Sequence, residues 1–262
     1  LALHGTVVLE SGEAVTVSVG EKDSDPVFYI NDLLPHLSKE QITKPLATAI
    51  DGETLNVLVG GYPFKDDDVK EKVKLTVLKK LNETYGMKET DFISAELCVV
   101  PAYKARDIGF DRALIGGYGH DDRVCSYPAI TALGESKDEL STVVVVLADK
   151  EEIGSEGATG MQCGIFSDLV DMLAASQGVP ASVVRANSKC LSADVTAGFD
   201  PNFAGVFEKR NSSIVSCGTA LCKFTGAGGK SGSSDASAEL VGYVRRIFEK
   251  AKVNWQMAEL GK

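Results

Sequence analysis

Residues 143–147 read VVVVL, and residues 148–152 that follow read ADKEE. A run of β-branched residues with no polar alternation fits a strand buried on both faces, as at the centre of a sheet covered by helices. This run ends against Asp149, Glu151 and Glu152. A carboxylate beside an apolar wall loses hydration and needs a cation, a donor or a metal as partner. In open α/β sheets the functional crevice lies outside the carboxyl ends of the strands. The stretch therefore predicts a rigid strand that delivers paired glutamates to a crevice.

The chain has 262 residues, enough for one large domain or two modest ones with a real core. Its formal charge of −10 argues against a nucleic-acid partner, which selects a basic face. No apolar run reaches the roughly 18 residues of a membrane span, and no signal peptide opens the chain. The first residues already have the character of a strand interior, so the natural N-terminus is expected upstream. Six cysteines, at 98, 125, 163, 190, 217 and 222, are spread singly with no CxxC pair. They predict small buried hydrophobes in a reducing cytoplasm.

The first third reads as β-rich. Residues 5–20, GTVVLESGEAVTVSVG, alternate apolar and polar residues about Gly12, the pattern of a hairpin. PVFYI and TLNVLVG predict short strands, while Pro35 and Pro45 prevent one long helix between them. Residues 66–85 predict an amphipathic helix with Val69, Val73, Val77 and Leu81 on one face, aspartates in its first turn and Gly86 as C-cap. His4 and His36 lie in this region as surface or satisfied core histidines.

Beyond about residue 94 strands and helices alternate. SAELCVVPAY, ALIGGYG, the valine run, KCLSADVTAG and SIVSCGTALCKF predict strands; helices are expected from Asp122 to Leu133, near 158–176, and after SSDAS. The alternation suggests a mixed α/β sheet covered by helices, with a β-rich domain attached. GAGGKSGSS fails as a phosphate loop, because the glycine needed six residues before Lys230 is Phe224.

Three acidic clusters fall at predicted strand ends: GHDDRVC (119–125), DKEEIGSEG (149–157) and LSADVTAGFDPNF (191–203). Carboxylates from several strand ends meet in space although distant in sequence, and so few basic residues accompany them that a divalent metal is the expected partner. Together these blocks, their order and spacing, and GKSGSSDASAE before the last helix resemble the aspartyl aminopeptidase and aminopeptidase I family of dinuclear zinc exopeptidases.

The resemblance implies a zinc-exopeptidase-like mixed sheet flanked by helices, with an inserted β-rich accessory (dimerisation) domain. Residues 1–109 would be that accessory domain and 110–262 the central part of the catalytic domain. It implies two Zn2+ ions, with Co2+ or Mn2+ as substitutes, since oxygen-rich sites accept several metals. Asp122 would bridge the two ions, Glu152 would bind one and Asp194 the other, and Glu151 would be the general base. Adjacent glutamates in an extended segment point opposite ways, so one addresses metal and the next addresses water. Lys230 is the candidate for a substrate carboxylate.

The family's site also uses two histidines, one before the β-domain and one after AELGK, and none of the three histidines here matches either context. The expectation is that these residues are the interior of a longer enzyme and hold zinc weakly by themselves. The whole protein would be a cytoplasmic aminopeptidase acting on peptides, assembled from dimers into a dodecamer. Two other readings stand beside it: an amino-acid deacylase on the same fold, and an inactive family member with a scaffold role.

Overall fold

The computed structural model describes residues 1–137, 140–225 and 234–259. The chain forms two compact units, Leu1–Tyr118 and Gly119–Lys262. The architecture is mixed α/β. No described helix is long and apolar enough to cross a membrane.

In the first unit β1 (Ala2–Val8) and β2 (Ala14–Val19) form the antiparallel hairpin that the alternation predicts. Two very short strands, β3 (Tyr29–Ile30) and β4 (Val57–Leu58), pair antiparallel within the predicted segments. Between them lie only single turns of helix, α1 (Lys39–Ile42) and α2 (Leu46–Ala49), with Pro45 setting the start of the second. Helix α3 (Lys72–Tyr85) begins later than its apolar spacing suggests. The aspartates precede the helix instead of lying in its first turn: Asp66 Oδ1 accepts the Asp68 amide at 3.0 Å, and Asp67 pairs with Lys72 at 2.8 Å. Such local side-chain bonds give the backbone an alternative to the helix. At the other end Gly86 adopts φ 73° and returns its amide to the Asn82 carbonyl, the left-handed stop that glycine permits.

Strand β5 (Ala95–Val100) returns antiparallel to β1, giving the order β2-β1-β5. Val7, Val17 and Met87 are buried together, with Leu81 and Tyr85 of α3 packed against them. His4 is satisfied by Glu21 at 2.8 Å. A hairpin of β6 (Arg106–Ile108) and β7 (Leu114–Gly116) closes the unit.

The second unit carries the helices. Helix α4 (His120–Glu135) covers the predicted span and contains Pro128. Helix α5 (Ile165–Ser176) starts at residue 165, because residues 158–164 are used in turns. Helix α6 (Ala181–Asn187) has no counterpart in the sequence reading. Strand β8 (Thr219–Leu221) lies parallel to a distant C-terminal strand, and β9 (Phe224–Thr225) pairs antiparallel with β10 (Ser234–Asp235). Ser237 caps α7 (Ala238–Ala251), its hydroxyl accepting the Leu240 amide at 3.2 Å, as the Ser/Asp signal predicts. The parallel partner of β8 is β11 (Trp255–Met257).

Three expectations are corrected. The valine run is not a buried strand: among the described residues no strand pairs with it, and Val143, Val144, Val146 and Leu147 are 40–54% exposed. KCLSADVTAG likewise forms no strand. Burial of an apolar run depends on neighbours from elsewhere in the chain, and no local pattern supplies them. The cysteines are also less buried than expected, for Cys98, Cys190 and Cys217 are exposed and the other three half-buried.

Candidate metal centre and acidic loop

Asp122 lies in the first turn of α4, which starts at Gly119 in the left-handed conformation (φ 66°). A helix N-terminus favours negative charge, so Asp121 and Asp122 are locally stable there. Asp194 sits in the loop after α6, its carboxylate accepting the Val195 amide. Asp122 and Asp194 are far apart in sequence, yet both act on one thiol. Burial, then the charges of Asp194, Asp121 and Asp122, push the Cys125 thiol above its ordinary pKa. A thiolate there would face three carboxylates, which disfavour its charge. From the sequence Cys125 is expected only to be a small buried hydrophobe, although its place one helical turn after Asp122 is a signal for more.

Glu151 and Glu152 are placed differently from the expectation. They lie in a single 3-10 turn, Glu151–Ile153, not in an extended segment. The turn is bracketed by two left-handed residues, Lys150 at φ 63° and Gly154 at φ 100°. Hydrogen bonds within the loop fold it back on itself: Ser155 N–H donates to the Lys150 carbonyl at 2.8 Å, and Gln162 N–H to the Ser155 carbonyl at 3.1 Å. Gln162 Nε2 also donates to the Gly154 carbonyl. Asp149 receives the Thr159 hydroxyl at 3.0 Å. The Lys150 backbone N–H and that hydroxyl hold the Asp149 carboxyl below the usual carboxylate range. Sequence reasoning assigned no part to Asp149, Thr159 or Gly160, because their roles depend on loop closure.

The donor chemistry of Asp122, Glu152 and Asp194 suits a divalent ion, for carboxylate oxygens bind zinc at about 2.0–2.2 Å. The arrangement does not by itself close around one. Among the described residues no group of three or more histidine, cysteine or carboxylate side chains stands close enough to hold a metal. The charges of Asp122 and Asp194 both reach Cys125, and among the described residues the glutamate pair joins them in no such group. Lys230 lies outside the described residues.

Carboxylates on a helix start, a tight turn and a loop of a mixed α/β chain are donor types that a metallohydrolase uses. The family described as Aminopeptidase I zinc metalloprotease (M18) matches residues 1–262, and the chain belongs to that family. It is 48% identical over 266 residues to a probable M18 family aminopeptidase 1 of Clostridium acetobutylicum, covering 100% of this chain and 57% of that relative. The crystal structure of aminopeptidase I from Clostridium acetobutylicum superposes with a TM-score of 0.89 at 49% identity, covering 100% of this chain and 57% of that one. The M18 family aminopeptidase of Thermotoga maritima superposes with a TM-score of 0.90 at 40% identity, covering 100% and 58%. The chain thus spans somewhat over half the length of these relatives.

Proposed function

We propose that the whole protein is a zinc-dependent aminopeptidase that releases single residues from free peptide N-termini through a dinuclear centre. The observation that carries this reading is family membership across residues 1–262. That the charges of Asp122 and Asp194 both raise the Cys125 pKa supports its residue-level form. In that form Asp122, Glu152 and Asp194 would hold the zinc, which would acidify a water and polarise the scissile carbonyl. Co2+ or Mn2+ would substitute in so oxygen-rich a site. Lys230 meets a substrate carboxylate.

Glu151 acts as the base. A carboxylate in this place takes the proton of the attacking water and passes it to the leaving amine, a role worth about 10²–10⁴-fold in rate. Residues 1–109 serve as an accessory and oligomerisation domain, and 110–262 supply the catalytic portion. Homo-oligomer formation belongs to the same reading; mApe1 of Saccharomyces cerevisiae, 21% identical and alike in fold, is a dodecamer. A cytoplasmic location is proposed with it, from the six unpaired cysteines.

The test is a free-amine requirement. Full-length protein with added zinc is expected to release amino acid from Asp-, Glu- and Leu-initiated peptides and to leave their N-acetylated forms intact. Cleavage of the acetylated forms alone would move the assignment to a deacylase.

A further inference from the structure

We infer that the contact between Asp149 and Thr159 is the latch that positions Glu151, which makes Thr159 a positioning residue of the reaction. The inference rests on the reading of Glu151 as base. Two bonds join the ends of this segment: Asp149 N–H donates to the Thr159 carbonyl at 3.3 Å, and Thr159 Oγ1 donates to Asp149 Oδ2 at 3.0 Å. Both glutamates lie between these two bonded ends, in a loop that the Ser155 and Gln162 bonds fold further.

The enclosed backbone needs external support. Lys150 is a non-glycine residue at φ 63°, a conformation that carries a steric cost and persists only where its surroundings enforce it. Lys150 is also the residue immediately before Glu151, so a relaxation of its φ swings the glutamate directly. The neighbour of Thr159 braces the far side of the loop. Gly160 is buried, and a Cβ built on it would lie 2.1 Å from the Ser155 carbonyl oxygen. The 159–160 edge therefore passes close against residue 155, where only glycine fits, while it holds residue 149. Thr159 itself is exposed, so its hydroxyl contributes through this bond and not through core packing.

The test uses the full-length protein with Thr159→Val, which keeps the branched shape and removes the donor, and Thr159→Ser, which keeps the donor. The expected result is a fall in kcat of about tenfold or more in Thr159→Val, since small misplacements of a catalytic group cost up to ~10²-fold. KM should stay nearly constant, Thr159→Ser should restore kcat, and hydrogen exchange of the Gly154 and Ser155 amides should quicken in Thr159→Val only. Asp149→Ala serves as the second variant should Thr159→Val not fold, with the same expectation. Unchanged kcat in the latch variants beside an inactive Glu151→Gln overturns the latch and leaves the base assignment standing. A Glu151→Gln protein with full activity overturns both. Equal losses in Thr159→Val and Thr159→Ser overturn the latch as well.

Discussion

The side-chain amide of Gln256 pairs with both backbone groups of Ile214, accepting its N–H at 2.9 Å and donating to its carbonyl at 3.0 Å. The same nitrogen donates to the Gly218 carbonyl at 2.9 Å. One side chain on β11 thus acts as a strand partner for the segment leading into β8. Gln256→Leu keeps most of the volume and removes all three bonds. At this half-exposed position the expected loss is about 1–3 kcal/mol, read as a thermal midpoint lower by several degrees. An unchanged midpoint would show that water replaces the amide without cost.

Asp91 makes a comparable tie in the first unit. Its buried carboxylate accepts the Glu10 amide at 2.8 Å and the Lys88 amide at 2.7 Å, and Lys88 Nζ meets Glu10 at 3.0 Å. The hairpin end is thereby fixed to the connection between α3 and β5. Asp91→Ala strands two backbone donors and is expected to cost about 2–3 kcal/mol, because bonds to a charged acceptor exceed ordinary ones. Denaturant titration should show a lower midpoint with the slope retained.

Cys125 supplies a pH prediction with a definite sign. Burial and the charges of Asp194, Asp121 and Asp122 raise its pKa, so the reactive thiolate forms at higher pH than in an unstructured peptide. In chelator-treated protein its alkylation by iodoacetamide, followed by mass spectrometry, should begin at correspondingly higher pH. Asp194→Asn removes one of the opposing charges and should move the onset down. An onset untouched by Asp194→Asn would separate Asp194 from Cys125 and Asp122.

Features set by a few consecutive residues were legible in the sequence. The turn at Gly12, the stop at Gly86 and the Ser237 cap each have a local physical cause, and each is present. Features set by distant partners were not. The valine run carries a strand's composition, but burial requires neighbours that its own pattern cannot specify. The parallel pairing of β8 with β11 joins segments separated by α7, and the start of α3 was decided by aspartate bonds that compete with helix. For the candidate site, the acidic types and their order pointed to the family, while the Glu151 turn emerged only from the closure of its loop.

The most direct measurement compares full-length wild-type protein with Glu151→Gln, recording bound zinc and release of free amino acid from an unblocked peptide. Equal zinc content and a loss of kcat of about 10²-fold or more are expected in Glu151→Gln, because glutamine keeps the shape of the base without its proton affinity. Wild-type kcat in Glu151→Gln, with the metal retained, would contradict the base assignment.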